Sequence, residues 1–454
     1  MKKPEFLILL LTFTFVALFL LYAANNKISD WDFSLGVIIA YILSSTAVWY
    51  SGGKKINLFF LFFLTFGLFI GGSFWASVFN RDLTPFEPTF YYDYYINYDR
   101  KIDIVTYVMC FMVMSTLGYI YAHNWKIRSN QRPHVNRIQK RRINKLLTLI
   151  SIPFGLFIIG FSLKFVIEGL QGGYLTHFLG AQNNEYSGSS LQSVIIQWST
   201  ILLGLAVAFG SKRNKRVYII FYAIQAMANL FVGSRSTFGV LLLLLLWLYS
   251  DFHKVNLKKI FIGLGGSLVL LLFLFSLSIR QMDKEQLPVF ESIMAFIYVQ
   301  GMSVMVFDTS RLITDYPLLP YFQCFIPGSS FIYGHLFTDH LNPWETTFTN
   351  YMCYSLNAEM FSNGYGLGWS ILADLYIFSQ QELVIFMLLS VCWGILIGNL
   401  EIRTQNNLFY RYVSVALSTS IMLLPRGGFN SFFPLLIYIC VFWMILNFFI
   451  SLKG

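Results

Sequence analysis

Long apolar runs, separated by short polar loops, set the pattern of this chain. A hydrocarbon core about 30 Å thick needs roughly 20 apolar residues in a helix that rises 1.5 Å per residue. Runs approaching that length predict helices near 6–23, 33–50, 57–79, 103–122, 146–167, 193–210, 217–232, 236–250, 260–279, 370–400, 410–424 and 431–450. That makes twelve spans, with both termini on one face. The first run, Phe6 to Ala23 behind Lys2 and Lys3, is longer than a signal-peptide core and is followed by no convincing cleavage site, so it reads as a retained span. The run from Ser370 to Leu400 is too long for one untilted span and predicts a break near Ser379 to Glu382.

The basic residues test this topology independently, because lysine and arginine should crowd the cytoplasmic loops. With both termini inside, 22 of the 32 lysines and arginines fall on the cytoplasmic side, eight of them between Lys126 and Lys145. The opposite face carries the longer loops. The largest, about 281–367, contains an apolar stretch from Val289 to Phe307 that includes Glu291, Gln300 and Gly301. A thirteenth span there would invert everything after it, so the expectation is a helix lying in the interface or re-entering the membrane. Loop 80–102 holds a tyrosine-rich run, residues 90–98, which suits the headgroup zone and, as an alternative, stacking on sugar rings.

Composition agrees. Hydrophobic residues make up 56% of the 454 and charged residues 12%, with a mean hydropathy of +0.61. The whole chain, 1–454, therefore reads as one all-α polytopic integral membrane domain. The net charge of +10 is absorbed by topogenic loops facing lipid headgroups, so no nucleic-acid partner is expected. No CxxC or HExxH pattern supports a metal site. Asp30-Trp31-Asp32 is an outer DxD, but it opens a helix, where capping explains acidic residues without an ion. Cys324 and Cys353 share the outer segment, where an oxidising compartment permits pairing if they lie within reach.

Three arginines end apolar runs on the outer side: Arg235, Arg280 and Arg426. The runs flanking Arg235 have sixteen and fifteen residues and cover roughly 22–24 Å, less than the core thickness. The Gly233-Ser234-Arg235-Ser236 turn is therefore expected below the outer surface, and Pro425-Arg426-Gly427-Gly428 likewise. Irregular backbone at that depth must line a cavity or be covered by protein. Arg280 is expected nearer the rim, and Arg311 beside Asp308 and Asp315 in an ion pair. Guanidinium forks match phosphate oxygens, so such a cluster suits a diphosphate and stabilises it as a leaving group. Snorkelling to headgroups explains Arg280 equally well, and explains Arg235 and Arg426 less well because they are held in tight turns at the ends of short spans.

A second feature is the glycine-rich stretch 362–370 leading into Ile371, Asp374, Tyr376 and Phe378. Glycines admit close backbone approach, the following helix N-terminus offers N–H groups, and Asp374 lies one turn past Ser370.

The Gly-Ser-Arg-Ser turn, the Gly-x-Gly-x-Ser-x-x-Ala-Asp-x-Tyr-x-Phe run at 366–378 and the late Arg-Gly-Gly-Phe-Asn-Ser at 426–431 resemble the Wzy-type O-antigen polymerases, within the wider group of oligosaccharide repeat-unit polymerases and O-antigen ligases. Many relatives carry Glu at the place of Asp374 and Gly at that of Ser379. The resemblance implies a GT-C-like, metal-independent and cofactor-free glycosyltransferase on the periplasmic face of a Gram-negative inner membrane. It implies undecaprenyl-diphosphate-linked oligosaccharides as both substrates, with Arg235, Arg280 and Arg426 on the diphosphates, and a Wzz-type chain-length regulator as partner. An acceptor hydroxyl also needs a base, for which His335 and His340 are candidates, with Asp374 and Glu359 as rivals. Arg311, His340, Glu359, Gly366, Trp369 and Tyr376 are the expected substrate contacts. An O-antigen ligase shares this architecture; a lipid-linked glycan flippase would call for internal symmetry and smaller loops.

The topology is directly testable. A cysteine substituted at Asn342 should be labelled by an impermeant reagent from outside intact spheroplasts; labelling only after permeabilisation would refute the periplasmic placement of 281–367.

Overall fold

The computed structural model describes residues 3–53, 55–124, 137–172, 188–234, 236–250, 265–266, 289–337 and 341–451. Among them every regular element is helical. In chain order these are α1 (Lys3–Asn25), α2 (Asp30–Ser51), α3 (Leu58–Phe69), α4 (Gly72–Phe79), α5 (Tyr98–Asn124) and α6 (Arg137–Gly172). There follow α7 (Gly188–Phe209), α8 (Lys212–Val232), α9 (Ser236–Ser250), α10 (Val289–Gly301) and α11 (Ser303–Ser310). The outer segment continues with α12 (Leu318–Phe325), α13 (Ser329–Leu336), α14 (Phe348–Leu356) and α15 (Ala358–Ser362). The last four are α16 (Ile371–Phe378), α17 (Leu383–Thr404), α18 (Leu408–Leu423) and α19 (Phe433–Ser451).

Among the described residues, eight segments are long and apolar enough to cross a membrane, nine if α3 and α4 count as one. That pair, expected as one helix near 57–79, bends by 55°. Of the expected span at 260–279 only residues 265–266 are among those described. The predicted break after Phe378 is present: Ser379 caps α16, Gln380 and Gln381 take positive φ values of 51° and 70°, and α17 starts at Leu383. The outer apolar stretch differs from an interfacial helix in one respect. Glu291–Ser310 is itself long and apolar enough to cross, and it is interrupted at Met302 between α10 and α11.

Lipid tails are as apolar as leucine, so helix association in a bilayer depends on close packing between small residues. The α5–α17 crossing shows this. A Cβ built on Gly394 would stand 2.0 Å from the Ser115 carbonyl oxygen, and one on Gly118 would stand 2.1 Å from that of Val391. Gly394 and Gly398 form a G-x-x-x-G pair on this seam. Beside it, α3 contributes a block of buried phenylalanines; Phe66 stacks on Phe111 at 5.1 Å and Phe62 leans on Trp393 at 5.7 Å.

The outer loops are tied down by polar contacts. Asp32 and Ser29 form a capping box at the start of α2, while Asp30 pairs with Lys101 at 2.7 Å and accepts from the Thr84 hydroxyl at 2.6 Å. Both carboxylates of the DxD thus have structural work. In the tyrosine-rich loop, Tyr91 donates to the carbonyls of Asn357 and Tyr365, and Tyr94 donates to Asp308 at 2.7 Å. Tyr98 donates to Ala23 and Asn26. Three tyrosines are therefore struts inside the protein, whereas Tyr95, at 89% exposure, faces outward. Cys324 and Cys353 are both free and buried. Burial pushes the Cys353 thiol up to about 11, so it stays protonated.

Candidate functional site

Two of the motifs meet. Chain turns after Leu356 through Asn357 into the short α15, and Gly364 takes the left-handed φ of 86° that starts the glycine-rich stretch. Ser370 then caps α16, its hydroxyl accepting from the Leu372 amide at 3.2 Å. Ser370, Ile371, Leu372 and Ala373 are all fully buried. This departs from the sequence expectation of a helix N-terminus open to an anion, because Ser370 itself serves the first turn.

Asp374 is 1% exposed. One carboxylate oxygen accepts from the Trp369 indole N–H at 2.7 Å and the other from the Phe429 amide at 2.6 Å. Asp374 therefore clamps the run 366–378 onto the turn 426–431. Gly428 lies where a side chain would crowd two members of the clamp: an added Cβ would be 2.8 Å from the Trp369 ring and 3.0 Å from Asp374 Oδ2.

The clamp places Arg426. Two consecutive 3-10 turns, Leu424–Arg426 and Phe429–Ser431, carry the chain between α18 and α19, and Pro425 is buried while Arg426 is exposed. The Arg426 stem passes 3.7 Å from the Cβ position of Gly368, an ordinary van der Waals distance. Its Nη1 donates to Gln300 Oε1 at 2.6 Å, and its guanidinium lies 5.7 Å from the centre of the Phe69 ring. The site thus joins the glycine run, the late arginine turn, the end of α10 and the bend between α3 and α4. Gln300 and Phe69 were not expected from sequence as partners of Arg426. The available signal was an amide side chain beside Gly301 in an otherwise apolar run.

Other candidates are placed differently. Arg235, Arg280 and His340 lie outside the described residues. Arg311 is mostly buried, ion-paired with Asp103 and, at 3.5 Å, with Asp308, and lies 5.2 Å from the Tyr376 ring. Asp308 in turn holds Arg100 at 2.9 Å, so the expected pair of Arg311 with Asp308 forms, within a partly buried network that also takes in Asp103 and Arg100. Trp369 and Tyr376 are buried, 6% and 7% exposed; Trp369 stacks on Phe348 at 6.0 Å, and Tyr376 meets Tyr107 edge-on at 5.3 Å. Gly366 is exposed, and a Cβ there would meet nothing within 4 Å. Glu359 is exposed on α15. His335 is exposed on α13, with Nδ1 2.9 Å from the Phe331 carbonyl. A carbonyl only accepts, so Nδ1 carries a proton, and in the neutral ring Nε2 is then the acceptor nitrogen. Among the described residues, no hydrogen bond or ion pair joins Glu359 or His335 to the Arg426 turn.

The clamp yields a stability prediction. In Asp374→Asn one amide N–H must face the Trp369 indole or the Phe429 amide, leaving a buried donor unserved at a cost of about 1–3 kcal/mol. Thermal unfolding of the detergent-solubilised protein should fall accordingly, and hydrogen exchange at the 426–431 turn should accelerate. Unchanged protection of that turn would refute the clamp.

No curated protein and no solved structure shows significant similarity to the chain. A family profile described as O-antigen polysaccharide polymerase Wzy matches residues 6–453, nearly the full length and all the elements that build the site. The multi-pass helical architecture agrees with that match. The chain belongs to the Wzy family of O-antigen polysaccharide polymerases.

Proposed function

We propose that this chain polymerises lipopolysaccharide O-antigen on the periplasmic face of the Gram-negative inner membrane, with both termini cytoplasmic. Family membership supports a glycosyltransferase-type polymerase of lipid-linked oligosaccharides; the finer reading is ours. Donor and acceptor are undecaprenyl-diphosphate-linked glycans. The growing chain leaves its carrier and is joined block-wise to the non-reducing end of a new repeat unit. A hydroxyl oxygen of that unit attacks the anomeric carbon of the donor glycan, the bond from that carbon to the phosphate oxygen breaks, and the electron pair leaves with the diphosphate. The hydroxyl proton passes to a base.

Negative charge develops on the departing diphosphate, so cationic donors fixed beside it lower the barrier. Arg426 carries the reading: it is an exposed guanidinium on a buried, clamped turn, a place where fork-shaped donors can meet phosphate oxygens without reorganising. Arg235 and Arg280 are proposed to complete this set, without a metal or other cofactor. Asp374 acts as a positioning residue through the turn it holds. His335, exposed and with Nε2 as the acceptor nitrogen, is proposed as the base, and His340 and Glu359 belong to the same outer segment. Arg311 braces α16 through the Tyr376 ring that this helix carries, while Gly366 and Trp369 shape the run that faces the substrate. A Wzz-type regulator of chain length is the proposed partner.

Lysine keeps the charge of arginine but loses its planar fork. Arg426→Lys and Arg235→Lys should each cut elongation by about 10²-fold or more at normal membrane levels, leaving a lipopolysaccharide gel with one repeat unit and no ladder. EDTA should leave the wild type active. Near wild-type ladders from both variants would reduce these arginines to headgroup contacts, and loss of activity in EDTA would refute the metal-free reaction.

A further inference from the structure

Arg426 has a neighbour whose bonding is half complete. Gln300 is the residue before the last of α10 and is 5% exposed. A guanidinium has only donors, so the Gln300 atom that meets Arg426 Nη1 at 2.6 Å is the amide oxygen. This fixes the other end of the amide as a donor. Among the described residues Gln300 Nε2 is buried and has no hydrogen-bond partner. A buried amide N–H left in this state is costly and rare in native proteins, and an explanation in terms of ligand binding is warranted when it borders a functional group.

The backbone around Gln300 is held in place. A Cβ on Gly301 would stand 1.8 Å from the Ser73 amide nitrogen, and one on Gly72 would stand 2.4 Å from the Ile297 carbonyl. Two glycines thus let α10 press against the start of α4, and the Ser73 hydroxyl donates to the Gly301 carbonyl at 3.4 Å. The bend between α3 and α4 brings Phe69 beneath the same guanidinium. The amide therefore sits on a packed element rather than a loop, which suits a group that must be ready before the ligand arrives.

We propose that Gln300 is a binding residue of the Arg426 site, its amide oxygen orienting the guanidinium while its Nε2–H donates to an oxygen of the bound diphosphate. This rests on the diphosphate reading of Arg426 given above. A phosphate oxygen is the acceptor that fits best, since the charge that Arg426 attracts also strengthens a hydrogen bond from a neutral amide. Gln300 contributes no charge, so it adds direction to a site whose attraction comes from arginine.

The test measures binding of a polyprenyl diphosphate, and of the polyprenyl alcohol of equal chain length, to the full-length protein in detergent. Gln300→Leu and Gln300→Met keep most of the volume and remove the donor. Both should weaken diphosphate binding about tenfold or more, as expected for a lost hydrogen bond to a charged group, and leave alcohol binding unchanged. Diphosphate binding within about twofold of wild type in both variants, or parallel loss of both ligands, would overturn the proposal, the second result marking Gln300 as structural. Arg426→Lys separates the two readings. If it weakens diphosphate binding while the Gln300 variants do not, only the role of Gln300 falls; if it binds as the wild type does, the diphosphate reading of Arg426 falls with it.

Discussion

A single buried carboxylate holds the site together. Asp374 uses one oxygen for the Trp369 indole and the other for the Phe429 amide, and these two hydrogen bonds join stretches of chain 55 residues apart. A buried carboxylate is unfavourable unless it is served by donors, so the geometry of both stretches is fixed by the same requirement. Trp369 must turn inward, Gly428 must lack a side chain, and the Arg426 turn must approach the glycine run at Gly368. The position of the guanidinium follows from those constraints.

This arrangement separates attraction from support. Arg426 is exposed, whereas the residues that hold it are buried: Asp374, Trp369, Gln300 and Phe69. Preorganised donors are effective because they do not have to move as charge develops. The second charge cluster, Arg100, Asp308, Arg311 and Asp103, lies on the Tyr376 side of α16 and ties the 80–97 loop to α11 through Tyr94. One short helix thus has a clamp on one side and a brace on the other.

Much of this was legible in the sequence, for physical reasons that differ from element to element. Spanning helices follow from the length and apolarity of their runs, and the break after Phe378 followed from a run longer than a bilayer. The pairing of the 366–378 and 426–431 motifs was visible as two separate signals; their contact was not, because hydrogen bonds across 55 residues leave no periodic trace. The bend of α3 and α4 was hidden for a related reason: both halves are apolar, and the Gly71-Gly72 pair reads as readily as part of a continuous helix. Asp374 read as a rival base one turn past Ser370, since spacing along a helix gives its face but not what covers that face. Trp369 and Tyr376 illustrate the same point, as aromatic residues in a motif that the fold uses for packing. Gln300 was noticed only as a polar interruption of an apolar run, with nothing to indicate that Arg426 would be its partner.

The claim that Asp374 acts through the Arg426 turn is tested most directly by a double-mutant cycle on kcat/KM for elongation of lipid-linked repeat units, with Asp374→Asn, Arg426→Lys and the pair. If the carboxylate works by placing the guanidinium, its removal should matter little once the guanidinium is gone: the double variant should be no worse than the weaker single variant, with a coupling of about 1 kcal/mol or more. Losses that simply add would contradict this and show that the two residues act independently.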